Sequence, residues 1–186
     1  MGAAWRHVDA RTGFEVVFLR RRADGIRVAG RVAAVENGVP WGVSYAVTLD
    51  SSWRTRRAEI AGLWDAGDRQ VVLETDGDGA WLVDGEAAPH VLGCLDLDLE
   101  ASAFTNTFPV NRLCLAVGER AEAPAAYVRV PDLRVERLEQ SYTRLPDEGE
   151  RTRYDYVSPA FDFRAVLTYD AGGLVLDYPG IADRVL

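Results

Sequence analysis

Two stretches of this chain carry side chains that could do chemistry, and both lie between Val91 and Val117 (VLGCLDLDLEASAFTNTFPVNRLCLAV). Side chains of an extended strand alternate between faces. Val91, Gly93, Leu95, Leu97 and Leu99 therefore share one face, and Leu92, Cys94, Asp96 and Asp98 the other. Two carboxylates two residues apart on one face can accept hydrogen bonds from a polar ligand or serve as an acid and a base. Next comes Phe104, Thr105, Asn106, Thr107, Phe108 and Pro109, short hydrogen-bonding side chains between two aromatic rings. Beyond it the apolar alternation of residues 110–117 predicts another strand, with Val110, Arg112, Cys114 and Ala116 on one face. Each feature also has a structural reading. Thr105, Asn106 and Thr107 could cap their own turn, and Asp96 with Arg112 could be an ion pair between neighbouring strands.

The elements that would position these groups read as strands. FEVVFL at 14–19 and IRVAGRVAAV at 26–35 flank the Asp24–Gly25 turn, and Asn37–Gly38 is the strongest short hairpin signal before the arm from Trp41 to Leu49. The run from Trp53 is polar on both faces at its start, so it faces water or lines a wet cavity. Residues 70–75 and 80–84 flank Asp76, Gly77, Asp78 and Gly79, a plain turn rather than a calcium loop, because the further ligands of such a loop are missing. Strands are expected at 125–131, 133–145, 151–157, 161–169 and 173–178, with thin helical signal at 61–67, at 99–104 and in the C-terminal tail. Such a census of short strands indicates an all-β antiparallel barrel or sandwich. A shift of 120 residues lays Tyr45–Asp50 onto Ala165–Asp170, hinting at half-repeats about 15–64 and 135–184 within one domain spanning 1–186.

Composition narrows the function classes. All 21 basic residues are arginines, 29 residues are acidic, and the formal net charge is -8, so a polyanion would be repelled and nucleic-acid binding is not expected. The Arg20–Arg22 cluster reads as solvated surface. No signal-like or membrane-spanning apolar run is present, which makes a cytoplasmic location the expectation. Cys94 and Cys114 read as free packed thiols, and His7 and His90 follow no metal-ligand spacing. No cofactor is expected.

The chain resembles a bacterial family called putative glycolipid-binding proteins. The likeness rests on Tyr45, Val47, Leu49, Asp50 and Trp53, on Gly93, Cys94, Asp96 and Asp98, and on Phe104, Thr105, Asn106, Thr107, Pro109, Arg112 and Leu113. It continues through Gln140, Tyr142, Leu174, Val175, Tyr178 and Pro179. Two positions depart from the pattern: Ala103 stands for an expected proline and Asn111 for a basic residue. The resemblance implies a roughly spherical antiparallel β-barrel of two related halves and an amphiphilic ligand. For a glycolipid, Cys94, Asp96, Asp98, Thr105, Asn106, Thr107 and Arg112 are the candidate polar contacts, with Trp53, Tyr142 and Tyr154 as flat faces for sugar rings.

Binding without chemistry is the first expectation. The alternatives are a hydrolase using Asp96 and Asp98, with Glu15 or Glu59 recruited, on a sugar-containing substrate, and an interaction module whose polar stretch only fixes the core. Adjacent same-face aspartates are too close to flank a scissile bond from opposite sides. A Gly-x-Ser-x-Gly elbow and a phosphate loop are likewise missing from the sequence.

Overall fold

Period-two burial governs the first half of the chain. In β2 (Thr12–Arg22) and β3 (Gly25–Glu36) every second side chain is buried, and β4 (Val39–Leu49) and β5 (Thr55–Trp64) continue the pattern. These four long strands form an antiparallel meander in which Asn37 and Gly38 both take positive φ, as their hairpin requires. The computed structural model describes residues 1–9 and 11–186.

The meander extends on one side through β6 (Arg69–Thr75), β7 (Trp81–Val83) and β8 (Glu86–Ala87). On the other side it continues through β1 (Gly2–His7), β17 (Ala182–Arg184), β16 (Val175–Tyr178), β15 (Phe163–Tyr169), β14 (Arg151–Ser158), β13 (Ser141–Glu148) and β10 (Arg120–Glu122). The result is one antiparallel sheet of 14 strands, with β8 and β10 as its edges. A second sheet of three strands, β12 (Val135–Leu138), β11 (Ala125–Val128) and β9 (Asp96–Leu99), holds the fold's parallel pair, β9 with β11. All four residues of β9 and all four of β11 are buried. The small sheet is tied to the large one where Thr55 donates its N–H to Leu95 O at 3.1 Å and its hydroxyl accepts from the Leu97 N–H at 3.0 Å.

Several sequence expectations shift. Residues 110–117 are not a strand: Thr107–Leu113 form α1, a seven-residue helix. Its sequence alternates in a way that mimics a strand because four of its residues are buried and it has little polar face. Pro109 is tolerated because it falls in the first turn, where the N–H has no helical partner. Cys114 ends the helix in the left-handed conformation with φ 47°. Residues 61–64 continue β5 rather than a helix, and Ala182–Arg184 in the tail form β17. The expected strand over 133–145 is two strands, β12 in the small sheet and β13 in the large one.

Candidate functional site

Glu15 on β2 is wholly buried and sets the first layer. Its carboxylate accepts from Tyr45 Oη at 2.6 Å, from Ser102 Oγ, and from the backbone N–H groups of Ala103 at 2.9 Å and Phe104 at 3.3 Å. Burial pushes this carboxyl up, and the four donors oppose the rise. Tyr45 can reach across the sheet because residue 30 is glycine: a Cβ there would stand 2.1 Å from the tyrosine ring. The carboxylate thereby anchors the turn at 102–106, whose first residues would otherwise carry orphan N–H groups.

That turn presents its polar groups against β9. Thr105 donates its hydroxyl to Asp98 Oδ1 at 2.7 Å, and Tyr142 on β13 donates to Asn106 Oδ1 at 2.7 Å. Asp98 is 7% exposed, and burial with the neighbouring Asp96 and Glu100 charges pushes its carboxyl up to about 6 despite the Thr105 hydrogen bond. Asp96, one alternation earlier, faces a different partner. Arg112 of α1 grips it with Nε at 3.0 Å to Oδ1 and Nη2 at 2.6 Å to Oδ2. Burial raises the Asp96 carboxyl and Arg112 pulls it back. This bidentate pair fastens α1 to β9, with Arg112 on a helix and not on a neighbouring strand.

A cavity of about 190 Å³ opens beside Asp98. Asp98, Ser102, Asn106 and Ser158 supply its polar lining. Tyr127, Tyr156, Phe161, Phe163 and Tyr178 supply aromatic walls, with Arg11 and Glu100 also at its surface. Several of these rings pack on one another, Tyr156 on Tyr178 at 5.9 Å and Phe163 on Tyr178 at 5.9 Å, which fixes the wall. Gln140 accepts from the Tyr156 hydroxyl at 2.9 Å. Ser158 is 1% exposed and its hydroxyl has no hydrogen-bond partner among the described residues.

Glu100 also borders a second, larger cleft of about 580 Å³ that includes Val39, Trp41, Trp64, Val130 and Pro131. Arg11 stands between the two: its guanidinium lies 5.3 Å from the centre of the Trp41 ring, 3.7 Å from Glu36, and within 3.4 Å of the Glu100 carbonyl oxygen.

Of the ten residues singled out in the sequence, Asp98 and Asn106 line the cavity. Thr105 and Tyr142 hold those two in place. The others lie elsewhere. Asp96 and Arg112 form the tether of α1, and Thr107 is buried in that helix, its hydroxyl without a hydrogen-bond partner among the described residues. Cys94 is buried, with its carbonyl accepting from the Trp81 indole N–H at 2.8 Å, and burial raises its thiol to about 11. Cys114 is exposed, so the two cysteines share no environment. Trp53 is buried at the bend before β5, with Arg21 over its ring at 5.3 Å. Tyr154 is a core residue between Tyr142 and Tyr169, with Arg144 stacked on it. Glu59 points to solvent from β5. Sequence reasoning missed Arg11, Ser102, Tyr127, Tyr156, Ser158, Phe161 and Phe163 as cavity residues. Tyr156, Ser158 and Phe163 sit on paired strands with Ser158 opposite Phe163 in register, but nothing local brings them to Asp98.

The comparisons agree with this architecture. Over 92% of its length the chain is 38% identical to a crystallised DUF1089 family protein from Pseudomonas aeruginosa, of which it covers 92%, with a TM-score of 0.77. A β-barrel-like protein of domain of unknown function DUF1849 from Brucella abortus shares the fold, with a TM-score of 0.53, 9% identity, and coverage of 98% of this chain and 92% of that one. No curated protein matches the sequence. The sequence model described as Putative glycolipid-binding matches residues 2–184, essentially the length over which the strands and both clefts are built, and the chain belongs to that family.

Proposed function

We propose that the cavity beside Asp98 binds the polar head of an amphiphile carrying a single sugar-like ring, and that the ligand's apolar part leaves past Arg11 toward Trp41 and Trp64. The observation that carries this reading is the set of unused polar groups inside an aromatic wall. Ser158 offers an unpartnered hydroxyl, Asp98 an acceptor, and Asn106 an N–H pair left over once Tyr142 has taken its oxygen. Convergent polar groups among aromatic faces are what ring-shaped, hydroxylated ligands require. At about 190 Å³ the cavity is smaller than the roughly 300–1,000 Å³ of drug-sized sites, which suits one ring and excludes a whole lipid.

The geometry favours binding over hydrolysis. A carboxylate pair needs two groups free to exchange protons with substrate. Asp96 is locked by Arg112, Glu15 by four donors, and Glu100 by the Val130 N–H at 2.6 Å with Arg129 Nε at 3.6 Å. Asp98 alone in the cavity is left with a raised carboxyl. Native mass spectrometry of freshly purified protein, followed by lipid analysis of whatever is carried along, tests the reading. A glycosylated amphiphile lost in Asn106→Leu supports it; a protein that takes up nothing from cell lipid extracts or from alkyl glycosides overturns it.

A further inference from the structure

The outer face of β1–β4 breaks the usual inside-out rule. Phe14, Val16 and Phe18 alternate along β2 with Glu15, Val17 and Leu19, and it is the first set that faces solvent, at 54%, 40% and 55% exposure. Single exposed apolar residues are ordinary, but three in line on one strand form a patch. Apart from Arg6 opposite Phe14 on β1, and Arg31 opposite Val16, their cross-strand neighbours are small. Across β3 lie Ala33 opposite Phe14 and Ala29 opposite Phe18, then Gly42 and Ala46 on β4, while Gly2 lies beside Phe18 on β1. The two rings therefore stand above a floor of small residues.

Arginines frame the stripe. Arg20 sits directly opposite Arg27, and Arg31 directly opposite Val16. Like charges paired across strands destabilise a sheet unless something neutralises them. Arg27 is met by Asp24 at 2.9 Å, but among the described residues neither Arg20 nor Arg31 has a carboxylate within ion-pairing distance. A concavity of about 340 Å³ runs between Phe18, Arg20, Arg27, Ala29, Ala46, Arg57 and Glu59; Arg57 is paired with Glu59 and Glu74, whereas Arg20 and Arg31 stay unneutralised among the described residues. Aromatic rings ringed by guanidinium groups are complementary to an interface where phosphate oxygens cover acyl chains. A second copy fits less well, because two such faces laid together would bury two patches that each carry Arg20 and Arg31 without a carboxylate partner among the described residues.

We infer that the β1–β4 face, through Phe14, Phe18, Arg20 and Arg31, docks the protein reversibly on an anionic lipid bilayer. The net charge of -8 opposes approach to an anionic surface as a whole, so docking rests on the local arginine-framed face meeting the bilayer first. This inference stands apart from the cavity and uses none of its residues.

Flotation with vesicles of phosphatidylglycerol and phosphatidylcholine in equal parts, against phosphatidylcholine alone, is the test. The wild-type chain floats with the anionic vesicles only, and raised salt releases it. Phe14→Ser with Phe18→Ser abolishes flotation, and Arg20→Gln or Arg31→Gln each lower partition about fivefold, from roughly 1 kcal/mol per arginine at such a surface. Leu63→Ser, at an exposed position on β5, leaves it unchanged. If the serine pair does not keep its near-ultraviolet dichroism, Arg20→Glu with Arg31→Glu gives the same readout from solvent-facing positions. The inference fails if the wild type ignores anionic vesicles, if Leu63→Ser weakens flotation as much as the arginine changes, or if sedimentation shows a dimer that the Phe18→Ser change dissolves.

Discussion

Tyr142 donates its hydroxyl to Asn106 Oδ1 at 2.7 Å from a wholly buried ring, so the phenol decides which end of the amide faces the cavity. With Tyr142 on its oxygen, the Asn106 amide turns its N–H pair toward the ligand. Tyr142→Phe removes the instruction without entering the cavity. Urea unfolding is expected to show a loss of about 1–2 kcal/mol from the orphaned buried acceptor. Ligand retention in native mass spectra should fall with it, since the freed amide then samples both orientations. Unchanged stability would mean that the hydrogen bond is absent in solution.

Asp98 has a pH signature of definite sign. An ordinary aspartate titrates at 3.8 and this one at about 6, so the folded state holds the extra proton between those values. Its contribution is present in full below the lower value and lost as pH rises through the upper one, about 3 kcal/mol by neutrality. Asp98→Asn keeps an oxygen for the Thr105 hydroxyl and has no charge to bury. At pH 7 the variant should be the more stable protein in urea, and the less competent one toward a hydroxylated ligand. The advantage should shrink to nothing near pH 4.

The sequence revealed the strands and their alternation because residues such as Val28, Val32, Val43 and Val47 bury on one face of long, regular hairpins. It also marked Asp98 and Asn106, whose polar types in an apolar run are locally visible. It misread α1, where a helix of seven residues, four of them buried in one run, leaves no 3.6-residue signature. The aromatic wall was out of reach for a different reason. Tyr127 arrives on β11 through parallel pairing with β9, and Tyr178 arrives on β16, two strands from β14 in the large sheet. Those meetings depend on long-range register, which no window of sequence contains.

Arg112 and Asp96 separate a tether from a ligand contact. The pair is almost fully buried, with the aspartate side chain 1% exposed and the arginine 13%. Removing one partner strands a charge, so Arg112→Ala should cost about 3–5 kcal/mol in urea unfolding. Replacing both, Asp96→Leu with Arg112→Met, should recover most of the loss. If instead the double variant unfolds as readily as the single one, the pair does more than hold α1 on β9.

His7 opposes Asp98 on acidification. Burial and the nearby Arg11 charge depress its imidazole from 6.5 to about 4, so the folded state holds fewer protons across that window. The stability it secures is present above 6.5 and lost as pH falls through 4, up to about 3 kcal/mol. Against His7→Gln, the wild type should lose ground steadily from pH 6.5 to 4. Equal slopes for the two proteins would place the imidazole in water.

Ser158 and Thr107 are a matched pair of buried hydroxyls without hydrogen-bond partners among the described residues, one at the cavity and one inside α1. A buried hydroxyl without a protein partner carries a penalty of about 1–3 kcal/mol. Ser158→Ala and Thr107→Val should therefore both unfold at higher urea than the wild type. Only the first should also weaken ligand retention, because only Ser158 borders the space a ligand would fill. A hydroxyl kept unsatisfied next to a cavity is sensible when the missing partner arrives with the ligand. If Ser158→Ala is stabilised and binds as well as the wild type, the head group does not reach that wall and Asn106 must orient it from the other side.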